Sequence, residues 1–306
     1  MKTENSATVT APIAAAPRGA GLRFAALGVL AFSFTLPGTV FALDGLDPYL
    51  VGVGRSAAAA VLAAVALLAV RARPPRRDQW AGLVVAAAGV VIGFPVLSTL
   101  ALDQGASSAH AAVVVGLLPA ATAVCGVLRA GERPSTAFWL AGAAGTACVT
   151  GFTAVRGGGR VTAADLLLFG ALAAAAAGYT EGGRLARDMP GWRVISWALL
   201  LAAPVTVPVT GWLLAATGPV WTGRAVSGFG YVAAVSAYLG FFAWYEGLAR
   251  AGIARGGQVQ LAQPMLTLLW SGLLLGEAVD AATALAAAAV LVCVALTQRA
   301  RVRISP

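Results

Sequence analysis

The sequence predicts an all-α membrane protein, with ten transmembrane helices arranged as two inverted five-helix repeats. Three observations carry this prediction. Of 306 residues, 59% are hydrophobic and only 11% charged, with a mean hydropathy of +0.83, outside the range of ordinary soluble domains. Ser108–Ala130 carries Pro119 and ends in Gly131-Glu132, and Gly256–Leu275 carries Pro264 and ends in Gly276-Glu277. Pro119 and Pro264, like Glu132 and Glu277, are offset by 145 residues, as a duplicated membrane unit requires. Finally, the basic residues gather on alternate connections, which an odd number of helices per unit turns into an inversion.

A spanning helix needs about 20 apolar residues, and ten tracts qualify. Met1–Gly21 is rich in Ala, Thr and Pro without apolar periodicity, so it is expected to be a disordered cytoplasmic N-terminus. Ala14–Ala16 precede the first apolar run, whereas cleavage sites follow one, so Leu22–Ala42 reads as an uncleaved anchor. Tyr49–Val70 contains Arg55; Trp80–Leu102 contains Gly89 and Gly93, a close-packing pair. Ser108–Ala130 opens beside the lone His110, suited to a cap or interface, and Thr136–Val155 completes the first repeat, 22–155. The second repeat, 164–298, comprises Ala164–Gly183, Val194–Ala216 with Pro204 and Pro208, Gly228–Leu248, Gly256–Leu275 and Ala281–Thr297. A basic cytoplasmic tail, 299–306, follows. Cys125, Cys148 and Cys293 all fall inside spans, with no spacing for disulfides or metal.

Charge sets the orientation. Lys2, Arg18, Arg23, Arg71, Arg73, Arg76, Arg77, Arg129, Arg133, Arg184, Arg187, Arg193, Arg250, Arg255, Arg299, Arg301 and Arg303 share one side of the ten-helix arrangement. The other side has only Arg156, Arg160 and Arg224, with Asp44, Asp47, Asp103, Asp165, Glu277 and Asp280. The positive-inside rule then places both termini in the cytoplasm. The net charge of +9 is thereby assigned to topology and anionic lipid, not to nucleic acid. Arginine in great excess over lysine, with abundant Ala and Gly, suggests a GC-rich bacterial genome, so the expected location is a bacterial cell membrane.

Polar residues inside spans point to a pathway, because lipid penalises them. Gln260, Gln263, Thr267 and Ser271 fall within roughly an 80° arc of one helix at 100° per residue. They read either as a cavity wall for a polar solute or as hydrogen bonds that hold the bundle together. Pro119 and Pro264 each remove a backbone bond, as helix kinks tolerated where a helix lines a cavity or touches neighbours. Arg55, about 12 Å below the outer boundary at 1.5 Å per residue, can grip a substrate carboxylate, snorkel outward, or pair with Asp44 or Asp47. Glu246 is the best-placed intramembrane carboxylate for coupling, although Arg250 at i+4 offers a plain ion pair. Glu181, with Arg184 three residues on, is a weaker coupling residue. Tyr245, with Phe241, Phe242 and Trp244, can stack on a ring-bearing substrate or merely pack.

The two Pro…Gly-Glu units resemble tandem EamA domains of the drug/metabolite transporter superfamily. Most of the likeness lies in Ala237–Glu277, AYLGFFAWYEGLARAGIARGGQVQLAQPMLTLLWSGLLLGE, and Arg55 matches a position where these proteins often carry arginine. The first repeat departs from the pattern, since AFSFTLPGTVF in helix 1 lacks the tryptophan often found there. The resemblance implies a multi-pass secondary transporter exporting a small metabolite, amino acid or drug by alternating access. It implies a small-molecule solute and lipid as partners, leaves room for protons or another ion and for a homodimer, and calls for no cofactor. The alternative is a membrane-embedded enzyme on a lipid-like substrate. One histidine, no His-Glu-x-x-His, no Gly-x-Ser-x-Gly and no phosphate loop weigh against catalytic residues or a metal.

Overall fold

A computed structural model describes residues 18–130, 133–156, 160–251, 259–299 and 302–303. Seven helices among them are long and apolar enough to cross a membrane. These are α1 (Ala20–Ala42), α2 (Pro48–Ala69), α3 (Arg77–Asp103), α4 (Ser108–Arg129), α6 (Ala163–Leu185), α7 (Gly191–Ala216) and α8 (Gly223–Ala251). Helices α5 (Thr136–Arg156), α9 (Ala262–Leu275) and α10 (Ala281–Arg299) have shorter described apolar stretches. The first Gly131-Glu132 motif, Lys2, Arg255, Arg301 and the expected start of the ninth span at Gly256 lie outside the described residues. Helix begins at Arg18, ahead of the expected Leu22, because this turn packs on α8, where the Arg250 guanidinium lies 4.9 Å over the Phe24 ring. The exposed faces are apolar: Val65 and Leu68 of α2, Leu140 of α5 and Leu285 of α10 point outward, a surface suited to lipid and costly in water.

Proline accounts for two of the places where the helices deviate. It cannot donate to the carbonyl four residues earlier, so Pro37 frees the Ser33 carbonyl and Pro95 frees that of Val91. Both oxygens find side-chain donors on other helices. The Thr267 hydroxyl donates to Ser33 O at 2.7 Å, and the Ser56 hydroxyl donates to Val91 O at 2.5 Å. Around Val91, α3 widens into a π-helical stretch, Ala87–Gly93, and α8 does the same over Tyr231–Leu239. The second stretch is pinned by Thr35–Ser236 (2.7 Å) and Ser196–Tyr238 (3.0 Å) hydroxyl pairs. Such stretches gather at functional sites.

Helix ends are equally well specified. Asp47 accepts from the backbone N–H groups of Tyr49 (2.9 Å) and Leu50 (3.1 Å), with Pro48 in the first turn of α2. Gly276, at φ 65°, closes α9 in the left-handed conformation that favours glycine. The chain then turns so that Glu277 accepts from Ser108 N (2.9 Å) and Ala109 N (2.8 Å), capping α4 from the far end of the sequence. A carboxylate there satisfies two orphan donors and meets the positive end of the helix.

The helices interleave. Helix α1 packs on α8, α3 on α6, α2 on α7 and α5 on α10. Gly89 lets α3 approach α6, since a Cβ there would run into the backbone of Ala174 and Gly178. A two-residue pairing of β1 (Arg133–Pro134) with β2 (Val302–Arg303) joins the α4–α5 connection to the segment after α10.

Candidate functional site

Two adjoining cavities lie inside the bundle and meet at Gln263. The larger is lined by residues of α1, α2, α3, α4, α6, α8 and α9. Its polar lining is Thr35, Arg55, Tyr179, Ser236 and Gln263; Phe32, Phe94 and Phe241 are the phenylalanines of its wall. The smaller lies between α1, α4 and α9 and is walled by Gln260, Gln263, Thr267, Pro119 and Pro264. The helices are interrupted just ahead of these prolines, at Gly116–Leu117 and at Leu261. The two breaks open onto one space.

Arg55 dominates the electrostatics. It is 2% exposed, and its Nε and Nη1 have no hydrogen-bond partner. The outer aspartates that sequence offered as partners are engaged elsewhere: Asp47 caps α2, and Asp44 lies 3.7 Å from Arg224. An uncompensated guanidinium out of water costs several kcal/mol. The aromatic rings of this wall pack on one another and on Trp244 behind them, with Phe32–Phe241 centroids 4.9 Å apart, Tyr179–Phe241 6.0 Å and Tyr179–Trp244 5.6 Å.

The polar stripe of α9 divides along its length. Gln260 and Gln263 border the cavities, and Gln260 Nε2 and Gln263 Oε1 are buried without partners. Thr267 borders the smaller cavity while bonding Ser33 O, and Ser271 is wholly buried, donating to Ser108 Oγ at 2.9 Å. The same face therefore lines space at one end and ties helices together at the other.

Three sequence candidates sit elsewhere. The Glu246 carboxylate is paired with Arg250 at 2.5 Å, is 30% exposed and borders neither cavity. Glu181 accepts from Arg129 Nε (2.7 Å) and Arg184 Nε (2.8 Å), bridging α4 to α6. Tyr245 is fully buried beside Phe241, its hydroxyl unpartnered, and Gly182 is open to it for want of a Cβ. The His110 ring contacts Asp165 at 2.7 Å, linking the starts of α4 and α6 beside a separate cleft of about 930 Å³.

Sequence reasoning passed over Thr35, Leu118, Tyr179 and Ser236 in the cavity wall. One signal was available for Leu118. The offset of 145 pairs Val115 with Gln260 and Leu118 with Gln263, and all four border the cavities. The first half thus presents aliphatic groups where the second presents amides.

A model of the EamA-like transporter family matches the chain twice, over residues 19–153 and 162–299. The chain belongs to this family. It is 44% identical over 276 residues to an uncharacterized transporter, YdeK, of Bacillus subtilis (strain 168), a match covering 89% of this chain and 95% of that one. Its fold also matches a solved crystal structure at a TM-score of 0.63 and 20% identity, over 92% of this chain and 99% of the other. Family and relative point to a membrane transporter rather than an enzyme, with a small-molecule solute and the bilayer as its surroundings.

Proposed function

We propose that this EamA-family protein is a secondary transporter that moves a small solute outward through the bacterial cell membrane by alternating access. In this reading two five-helix halves, 22–155 and 164–298, are related by inversion, span the membrane ten times in all and rock about the central cavity. The observation that carries the reading is a cavity bounded by helices of both halves, into which both repeat prolines and buried, unpartnered polar groups project. Transporters built from inverted repeats hold substrate near the midplane at such breaks.

The packing supports the relation between halves. If each helix is exchanged with the one five places along, the α1–α8 contact becomes the α6–α3 contact, while α2–α7 and α5–α10 map onto themselves. The π-helical stretches sit in the third helix of each half, at starts 87 and 231, close to the repeat offset. Export rests on the family resemblance, and cytoplasmic termini rest on the charge asymmetry.

Purified protein in liposomes should exchange a labelled internal solute for external unlabelled solute without changing it chemically. Chemical conversion of a solute or lipid, with no exchange, would favour the enzyme reading instead. Orientation is checked by Asp103→Cys and Arg77→Cys in a cysteine-free background. Only the former should react with an impermeant thiol reagent added outside intact cells, and reversed labelling would overturn the orientation.

A further inference from the structure

We infer that the cargo of the central cavity is a small organic anion, a carboxylate on an apolar or aromatic body, whose negative charge supplies the missing partner of Arg55. This deepens, and rests on, the carrier reading above.

A guanidinium has only donors, and Arg55 presents Nε and Nη1 with nothing to receive them, at 2% exposure, in the cavity wall. Among the described residues, no acidic side chain lines either cavity. The described acids nearest the bundle are committed at its helix ends: Asp165 to Thr162 and His110, Glu181 to Arg129 and Arg184, Glu246 to Arg250, and Glu277 to the start of α4. None is left to neutralise Arg55 or to receive a cationic cargo.

The other polar groups carry no charge. Thr35 and Ser236 hydroxyls bond one another across the wall at 2.7 Å, so at least one proton is already used. The unpartnered glutamine atoms are a donor in the adjoining cavity, Gln260 Nε2, and an acceptor, Gln263 Oε1. Turning the Gln263 amide over would present its NH2 to a carboxylate, and neither glutamine balances a full ammonium charge. The rest of the wall is largely aromatic and aliphatic, with Phe32, Phe94, Phe241 and Leu118 among its residues. A site with one fixed positive charge, no negative charge and ring-lined walls selects an anion with an apolar body. It disfavours organic cations and amino-acid zwitterions, whose ammonium would sit uncompensated in an apolar site. A bidentate guanidinium–carboxylate pair is the strong form of this recognition.

The test uses the full-length protein in detergent and five probes: benzoate, benzyl alcohol, phenylalanine, benzyltrimethylammonium and inorganic phosphate. Benzoate should raise the thermal unfolding temperature in a saturable manner and bind at least tenfold tighter than the other four. Arg55→Gln should weaken benzoate binding at least tenfold, whereas Arg55→Lys, which keeps the charge, should retain part of it. Gel filtration of both variants confirms that they are folded. The inference is overturned if benzoate gives no saturable shift, if its affinity survives in Arg55→Gln, or if phenylalanine or the cation binds as tightly. Phosphate binding equal to benzoate would also overturn it, because the apolar wall would then select nothing. Failure of this inference is distinct from failure of the carrier: an Arg55-independent flux of a cation or neutral solute removes the anion and leaves the transporter. Saturable benzoate binding without any solute exchange does the reverse.

Discussion

Replacing Arg55 with methionine should stabilise the empty protein while removing its anion site. Arg55 is 2% exposed, has two nitrogens without partners and forms no ion pair among the described residues. Methionine keeps much of the unbranched apolar stem and deletes the charge. Exchanging buried charge for apolar volume is commonly neutral to stabilising, by about 1–4 kcal/mol, and an unpaired charge belongs at the upper end of that range. At about 2 °C per kcal/mol for a chain of this length, the unfolding temperature should rise by roughly 2–8 °C. The assay is thermal unfolding in detergent, with and without benzoate. Wild type should gain stability from benzoate and Arg55→Met should not, so the gap between the two narrows as benzoate is added. A fall of several degrees in the unliganded variant would refute the reasoning, because it would mean that Arg55 is already paired in the resting protein.

Gln260→Leu and Gln263→Leu should weaken solute binding with unfolding temperatures unchanged or raised, since each amide carries a buried atom with no partner; a stability loss with normal binding would make the stripe a packing feature only. Glu277→Ala should cost about 1–2 kcal/mol by uncapping α4, read as a lower unfolding temperature, with Glu277→Gln intermediate. Gly89→Leu should impair folding through the clash with Ala174 and Gly178, by at least about 1–3 kcal/mol, whereas an unperturbed unfolding curve would show that α3 and α6 are not this close. Glu246→Gln should leave solute exchange within about twofold of wild type, because a half-exposed pair contributes at most about 1 kcal/mol; loss of the response to a pH gradient would restore Glu246 as a coupling group.

The apolar tracts were legible because a span must satisfy its own backbone and present some 20 apolar residues to lipid. The repeated proline and Gly-Glu were legible because a fixed offset survives in one dimension. The Gln260–Ser271 stripe could be read as one helical face, yet the break at Leu261 sets Gln260 ahead of α9, and the division into cavity and tie depends on which helix lies opposite each residue. Arg55 shows the limit most clearly. Its position in α2 could be read directly, whereas its isolation follows from Asp44 and Asp47 being engaged elsewhere, which only the folded arrangement reveals. The Glu277 cap on α4 joins residues 168 or more apart, and no local pattern announces such a contact. The π-helical stretch of α3 had a partial signal in Pro95, but that of α8 has no proline within it.

The central claim is that one cavity serves both faces of the membrane in turn. A single cysteine at Leu118, in a protein with Cys125, Cys148 and Cys293 replaced, tests it most directly, since Leu118 borders the larger cavity together with Gln263. In membrane vesicles of either orientation this cysteine should react with a small impermeant thiol reagent, and transported solute should slow labelling from both sides. Labelling confined to one side under every condition, or labelling that solute leaves unchanged from both, would contradict alternating access through this site.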